Sequence, residues 1–332
     1  MNFRHLRRLV ATLLASLGLL AGLPASAGQW AFDLYANIWG AREYQTWLPS
    51  GYRAGTPLPM VLVLHGCVTD PNSTALVSRF NELADRENFI VVYPRQNVTS
   101  NPSRCWNFML PVNQARGSGE PSILMGIVNR VKSRYSVDNA RVYVTGISAG
   151  GAMTSTLAAC YSEVFAAAAV HSGGMYKGGV GLVTSAESLL LGSPYDPDVR
   201  GRDAWKCSGS PRRLMPMLVF HGTSDVVVNP LNGDQTVQQF VQTNDLGDDG
   251  QDNDSARYLA TSITRHSAPV PGGRSYTVAT FHNSAGVVVA QKYTVEGMNH
   301  AWSGGPPVLP FSDERGPDAT GISWDFFKNY RR

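Results

Sequence analysis

After residue 40 the chain alternates short apolar runs with longer stretches that are apolar on one side only. Residues 44–48 and 60–64 read as strands, 74–87 as a helix, and 89–93 as a strand rich in Val and Ile. Residues 121–135 follow a helical period, with Ile123, Ile127, Val128 and Val131 on one stripe. The same alternation predicts a strand at 141–145, a helix at 149–161, and strands at 165–170 and 217–220. Two further strands, 275–281 and 287–293, precede a last helix at 322–330. Strands alternating with helices of this length build crossover units. The expected class is therefore α/β, a mainly parallel sheet with helices on both faces, in a single domain. Two segments break the rhythm: 176–213 is rich in Gly, Ser and Pro, and 243–255 is acidic and polar. Both are expected to be surface excursions from the sheet, a usual location for substrate-binding loops.

The first residues change the reading of charge. Arg4, Arg7 and Arg8 precede an almost wholly apolar run, 9–23, and Ala25-Ser26-Ala27 supplies the small-x-small pattern that signal peptidase reads. That run is too short to cross a bilayer comfortably, and no later stretch approaches the roughly 20 residues a membrane helix needs. Residues 1–27 are expected to be a removed export signal, leaving 28–332 as the mature, secreted chain. The whole sequence holds 28 Lys and Arg against 25 Asp and Glu. Because the first 27 residues contain three arginines and no acid, 25 of each sign remain. No electrostatic footprint for nucleic acid or an anionic membrane is left. Cys67, Cys105, Cys160 and Cys207 would enter an oxidising space, where an even number favours two disulfides. No CxxC or Cys/His cluster has zinc-ligand spacing, so no metal site is expected.

One stretch carries candidate chemistry. In VTGISAGGAM, Ser148 sits in a G-x-S-x-G turn between the predicted strand at 141–145 and the predicted helix that follows. A serine on such a strand–turn–helix corner is a nucleophile elbow, exposed at the carboxyl end of the sheet where ligands bind. Its hydroxyl is a weak nucleophile until a base removes the proton, so a histidine and an orienting acid must follow, in the order Ser, Asp or Glu, His. LVFHGTSD places Asp225 just past strand 217–220, and GMNHAWSGG places His300 in a Gly-bounded loop after strand 287–293. All three then fall on one rim. His171 and His221 also end strands but precede the acid, and read as packed structural groups; His266 and His282 read as solvated. Asp234 falls in the next helix, and Asp245, Asp248, Asp249, Asp252 and Asp254 form a polar loop with only a loose likeness to a calcium loop.

An oxyanion hole needs two more donors. The N–H after the nucleophile, Ala149, is one, and VLVLHGCV offers the second at Cys67, with His65 shaping the loop. The sheet reading also constrains the cysteines. Cys67 and Cys105 follow strands and belong on the catalytic rim, whereas Cys160 ends the elbow helix and Cys207 precedes a strand on the opposite rim. Of three pairings, Cys67–Cys105 with Cys160–Cys207 alone avoids spanning the sheet.

With VLHGC, YPRQN, CWNF, GISAGGAM, HGTSD and GMNHAWSGG in this order, the chain resembles the poly(3-hydroxybutyrate) depolymerase-type esterases. These are secreted α/β-hydrolases related to feruloyl and acetylxylan esterases. The resemblance runs from about Tyr44 to the C-terminus and implies an α/β-hydrolase catalytic domain over 28–332, without a cofactor. It assigns Ser148, Asp225 and His300 as nucleophile, acid and base, and Cys67 and Ala149 as oxyanion donors. It adds Trp106 and Trp302 as walls of the substrate cleft. The implied substrate is a polymeric or oligomeric ester such as a polyester; feruloyl or acetyl groups on polysaccharide, or poly(aspartic acid), are the alternatives. Many members that attack solid polyester continue into a linker and a C-terminal substrate-binding domain, and this sequence ends at Arg332.

Overall fold

In β3 (Leu58–Leu64) every residue is buried. Met60, Leu62 and Leu64 point into one core cluster and Val61 and Val63 into another. A strand with two apolar faces requires cover on both sides, and the computed structural model, which describes residues 28–307 and 309–332, supplies it. The expected export signal, 1–27, lies outside the described residues.

One ten-stranded sheet has the order β1-β2-β4-β3-β5-β6-β7-β10-β9-β8. Its strands are β1 (Gln29–Asn37), β2 (Gly40–Leu48), β3, β4 (Ile90–Pro94), β5 (Val137–Ile147), β6 (Ala167–His171), β7 (Met217–Gly222), β8 (Ser262–His266), β9 (Tyr276–His282) and β10 (Val288–Val295). From β4 through β10 the neighbours are parallel, while β1–β2 and β9–β8 extend the two edges in antiparallel fashion. The helices are α1 (Pro71–Ser78), α2 (Phe80–Glu87), α3 (Gly119–Arg134), α4 (Ala149–Cys160), α5 (Leu182–Leu191), α6 (Pro197–Cys207), α7 (Leu231–Asp249) and α8 (Ala319–Phe327). The first cluster packs α3, α4 and α7 on one face, with Ile123, Ile127, Leu157 and Phe240 fully or almost fully buried. The second packs α1, α2 and α8 on the other, where Tyr143 of β5 stacks on Phe327 of α8 with ring centroids 4.9 Å apart. Each such large side chain contributes about 1.5–3 kcal/mol by leaving water.

Several elements depart from the sequence pattern. The helix expected at 74–87 is two helices, broken where Arg79 takes a left-handed φ of 57°. β1 carries its apolar residues Trp30, Phe32 and Leu34 outward, while Asp33 turns inward to meet Tyr44 and Arg134. The 176–213 excursion contains α5 and α6. The polar stretch at 243–255 is a surface excursion only in part: α7 runs on to Asp249, with Asn244 and Asp245 buried. Asn244 bonds to the backbone of Met215 and Val289, and Asp245 accepts from the backbone of Asn253 and Ala256 and from the Ser255 hydroxyl. Local backbone donors thus occupy the carboxylate at the centre of the acidic stretch. Among the described residues no group of three or more His, Cys, Asp or Glu is placed to hold a metal ion.

Candidate active site

β5 ends at Ile147 and α4 begins at Ala149, so Ser148 is the whole turn between them. Its φ of 61° and ψ of −124° lie in a region that L-residues seldom occupy, and its N–H donates to the His171 carbonyl at 3.0 Å. The glycines on either side make this geometry possible. A Cβ on Gly150 would collide with the carbonyl oxygens of Leu64 and His65, and one on Gly146 with that of Gly150. Gly150→Ala should therefore cost about 3 kcal/mol of stability, because backbone cannot yield as a side chain can. An unchanged urea midpoint would contradict that close approach.

Asp225 lies in the turn after β7 and His300 in the turn after β10. The Asp225 Oδ1 accepts the N–H groups of Val227 and Val228 at 3.0 and 2.9 Å. Its Oδ2 accepts from His300 Nδ1 at 2.8 Å and lies 3.5 Å from His221 Nε2. Burial alone would push this carboxyl up, but the hydrogen bonds from His221, His300 and the Val228 amide, with the His300 charge, hold it well below the usual carboxylate range. With Nδ1 committed to Asp225, Nε2 is the ring nitrogen left for the cavity.

Ser148 and His300 line the same cavity, of about 150 Å³, together with Gly66, Cys67, Thr69 and Ala149. The remaining walls are apolar: Val68, Phe108, Ile147, Leu189, Val227, Val228 and Phe311. The turn after β3 presses against the elbow, since a Cβ on Gly66 would stand 3.3 Å from that of Ser148. Ala149 is the first residue of α4, so its N–H has no partner within the helix.

Two expected wall residues lie elsewhere. Trp106 is fully buried in the core, its ring 5.5 Å from that of His65. Trp302 is 2% exposed, donates its indole N–H to Thr320 and stacks on His171, and lines a small side pocket that shares Thr69, Ile147 and Phe311 with the cavity. Both rings serve packing, and Phe108 and Phe311 stand at the cavity instead. Phe108 closes the CWNF stretch on which the resemblance rests but was given no role, whereas Phe311 and Leu189 of α5 carried no motif.

The disulfides are Cys67–Cys105 and Cys160–Cys207. The first joins the β3 turn to the loop carrying Trp106, and the second ties the end of α4 to the end of α6. The other histidines are otherwise engaged. His171 accepts the Ser303 N–H on Nε2 at 3.0 Å, and His221 donates Nε2–H to the Val228 carbonyl at 2.9 Å. His282 bonds Thr261, and His266 stacks on Tyr276. Asp234, in the first turn of α7, pairs with Lys292.

A mainly parallel sheet with a serine elbow, and an aspartate and a histidine in the turns of the same rim, is the architecture of the α/β-hydrolases. An acetyl xylan esterase from Aspergillus awamori shares this fold, with a TM-score of 0.68 over 91% of this chain and 99% of that one, at 20% identity. The profile described as Esterase PHB depolymerase matches residues 42–258, and the chain belongs to that family. It is 32% identical over 266 residues to poly(3-hydroxyalkanoate) depolymerase C of Paucimonas lemoignei, covering 79% of this chain but 58% of that enzyme. It is 31% identical over 231 residues to feruloyl esterase B of Neurospora crassa, covering 66% of this chain and 77% of that one.

Proposed function

We propose that the chain is a secreted serine hydrolase that cleaves ester bonds of a polyester such as poly(3-hydroxybutyrate), or of its oligomers. The observation that carries the reading is the 2.8 Å contact of His300 Nδ1 with Asp225 in a cavity that also holds Ser148. Ser148 Oγ attacks the ester carbonyl carbon while His300 Nε2 takes its proton, and the carbonyl oxygen becomes an oxyanion bound by the N–H groups of Cys67 and Ala149. The carbon–oxygen bond to the leaving group breaks, and His300 returns the proton to the departing alcohol. Water then repeats the sequence on the acyl-enzyme, releasing the acid and free serine. Asp225 orients His300 and stabilises its charged form.

The apolar, small cavity favours a short aliphatic acyl group over a charged one, which supports polyester ahead of poly(aspartic acid). Feruloyl or acetyl ester cleavage is the second reading, favoured by the match to the Neurospora enzyme over 77% of its length. The two disulfides and the apolar segment preceded by arginines support export. Incubating the mature protein with polyhydroxybutyrate, feruloylated xylan and poly(aspartic acid) separates these readings. Hydroxybutyrate oligomers are the expected soluble product; ferulate or acetate alone would replace the first reading by the second.

A further inference from the structure

Behind the Cys67 turn lies a buried polar cluster that the reaction above does not use. Arg42 in β2, Gln96 just past β4 and Glu120 at the start of α3 are 4%, 0% and 4% exposed. Gln96 Oε1 accepts from Arg42 Nε at 2.6 Å, and its Nε2 donates to Glu120 Oε1 at 2.5 Å and to the Cys105 carbonyl at 2.9 Å. Glu120 also accepts from Arg42 Nη2 at 3.1 Å and from the side-chain and backbone N–H groups of Asn107 at 2.8 and 2.7 Å. Taking an ion pair out of water is costly, and replacing one by apolar groups is often neutral, so stability alone does not explain it.

The bonds continue to the candidate oxyanion donor. The Gln96 backbone N–H donates to His65 Nε2 at 3.0 Å. An amide can only donate, so Nε2 is the acceptor and the ring proton sits on Nδ1. Nδ1–H then donates to the Gly66 carbonyl at 2.7 Å, which also accepts from the Thr69 hydroxyl at 2.8 Å. That carbonyl and the Cys67 N–H belong to one planar peptide, so two donors on the oxygen fix the direction of the N–H. The Cys67–Cys105 disulfide closes the circuit, because the Cys105 carbonyl is held by the same Gln96.

We infer that Gln96, clamped by the Arg42–Glu120 ion pair, is a positioning residue that aims the Cys67 amide at the oxyanion. The inference rests on the reading of Ser148 as nucleophile and Cys67 as oxyanion donor. Losing such a donor outright costs about 10²–10³ in kcat, so losing its alignment should cost about 10- to 100-fold.

The test is Gln96→Met, which keeps the length and removes both amide ends, assayed on a soluble p-nitrophenyl ester and by inhibition with an alkylboronic acid. The boronate forms a tetrahedral adduct on the serine and reports oxyanion binding without turnover. Expected is a fall in kcat of about 10- to 100-fold, KM within about threefold, and boronate affinity falling in step with kcat. Arg42→Lys keeps the charge for Glu120 but loses the Nε donor to Gln96, and should show the same parallel loss on a smaller scale. It decides the matter if Gln96→Met does not fold. In a folded variant, an unchanged kcat, a loss confined to KM, or a kcat loss with intact boronate affinity overturns the inference. Ser148→Ala run alongside keeps the two ideas apart. If it stays active the reading of the site fails, whereas an inactive Ser148→Ala beside a fully active Gln96→Met sinks the positioning role alone.

Discussion

Ser148→Ala is expected to lower kcat on a short-chain p-nitrophenyl ester by about a millionfold, with the circular dichroism spectrum unchanged. The magnitude follows from what remains. Without Oγ there is no acyl-enzyme, and His300 has no serine proton to take, so only substrate binding and oxyanion stabilisation still act. The fold should tolerate the change, because the backbone bond that holds the elbow, Ser148 N–H to the His171 carbonyl, does not involve the hydroxyl. Activity within tenfold of wild type would remove Ser148 from the chemistry.

The second large effect is on stability in acid. His65 and His171 are 1% exposed, and burial pulls their pKa values down, to about 4 and about 3. For His171 the neighbouring His221 and His300 act in the same direction. In the unfolded chain both should titrate near about 6.5. Below that pH the unfolded state binds protons that the folded state refuses, so stability is complete above it and falls as the pH drops. Two groups each lose up to about 1.4 kcal/mol per pH unit, or about 6 kcal/mol in all between pH 6.5 and 4. Asp225 continues the trend at lower pH: its depressed carboxyl contributes stability that is present above the ordinary carboxylate range and lost as protons reach it. A loss of this size is comparable to the whole stability of many domains, about 5–15 kcal/mol. Scanning calorimetry from pH 8 to 4 should give a melting temperature that drops steeply below pH 6.5, and a flat profile to pH 4.5 would show that these histidines accept protons in the folded state.

The parallel strands were readable because two-sided burial writes itself as unbroken apolar runs such as MVLVL in β3. The turns that carry Ser148, Asp225 and His300 followed from the ends of those runs. What escaped reading has one physical cause in each case. β1 inverts the usual alternation, because Asp33 finds Arg134 and Tyr44 inside while Trp30, Phe32 and Leu34 face out. The far end of α7 looks like a solvated loop because Asn244 and Asp245 are polar, yet both are buried, Asn244 satisfied by backbone groups distant in sequence and Asp245 by donors of the turn that follows the helix. Trp106 and Trp302 were assigned to the cleft by the family resemblance, and a shared motif does not say which way a ring turns. The circuit around Gln96 was invisible for a similar reason: it joins residues from Arg42 to Glu120 through contacts that no local period records.

The Cys160–Cys207 bridge closes a span of 47 residues whose two ends are fixed to the elbow helix and to α6. In a chain-entropy view such a closure contributes about 4 kcal/mol. Within that span, α5 delivers Leu189 to the cavity. Lengthening a loop whose ends are already tied costs little, about 0.6 kcal/mol for each doubling. The excursion past β6 is thereby a cassette whose contents can be exchanged to reshape that cavity, while β5, the Ser148 turn and β6, whose His171 carbonyl holds the Ser148 N–H, stay where they are.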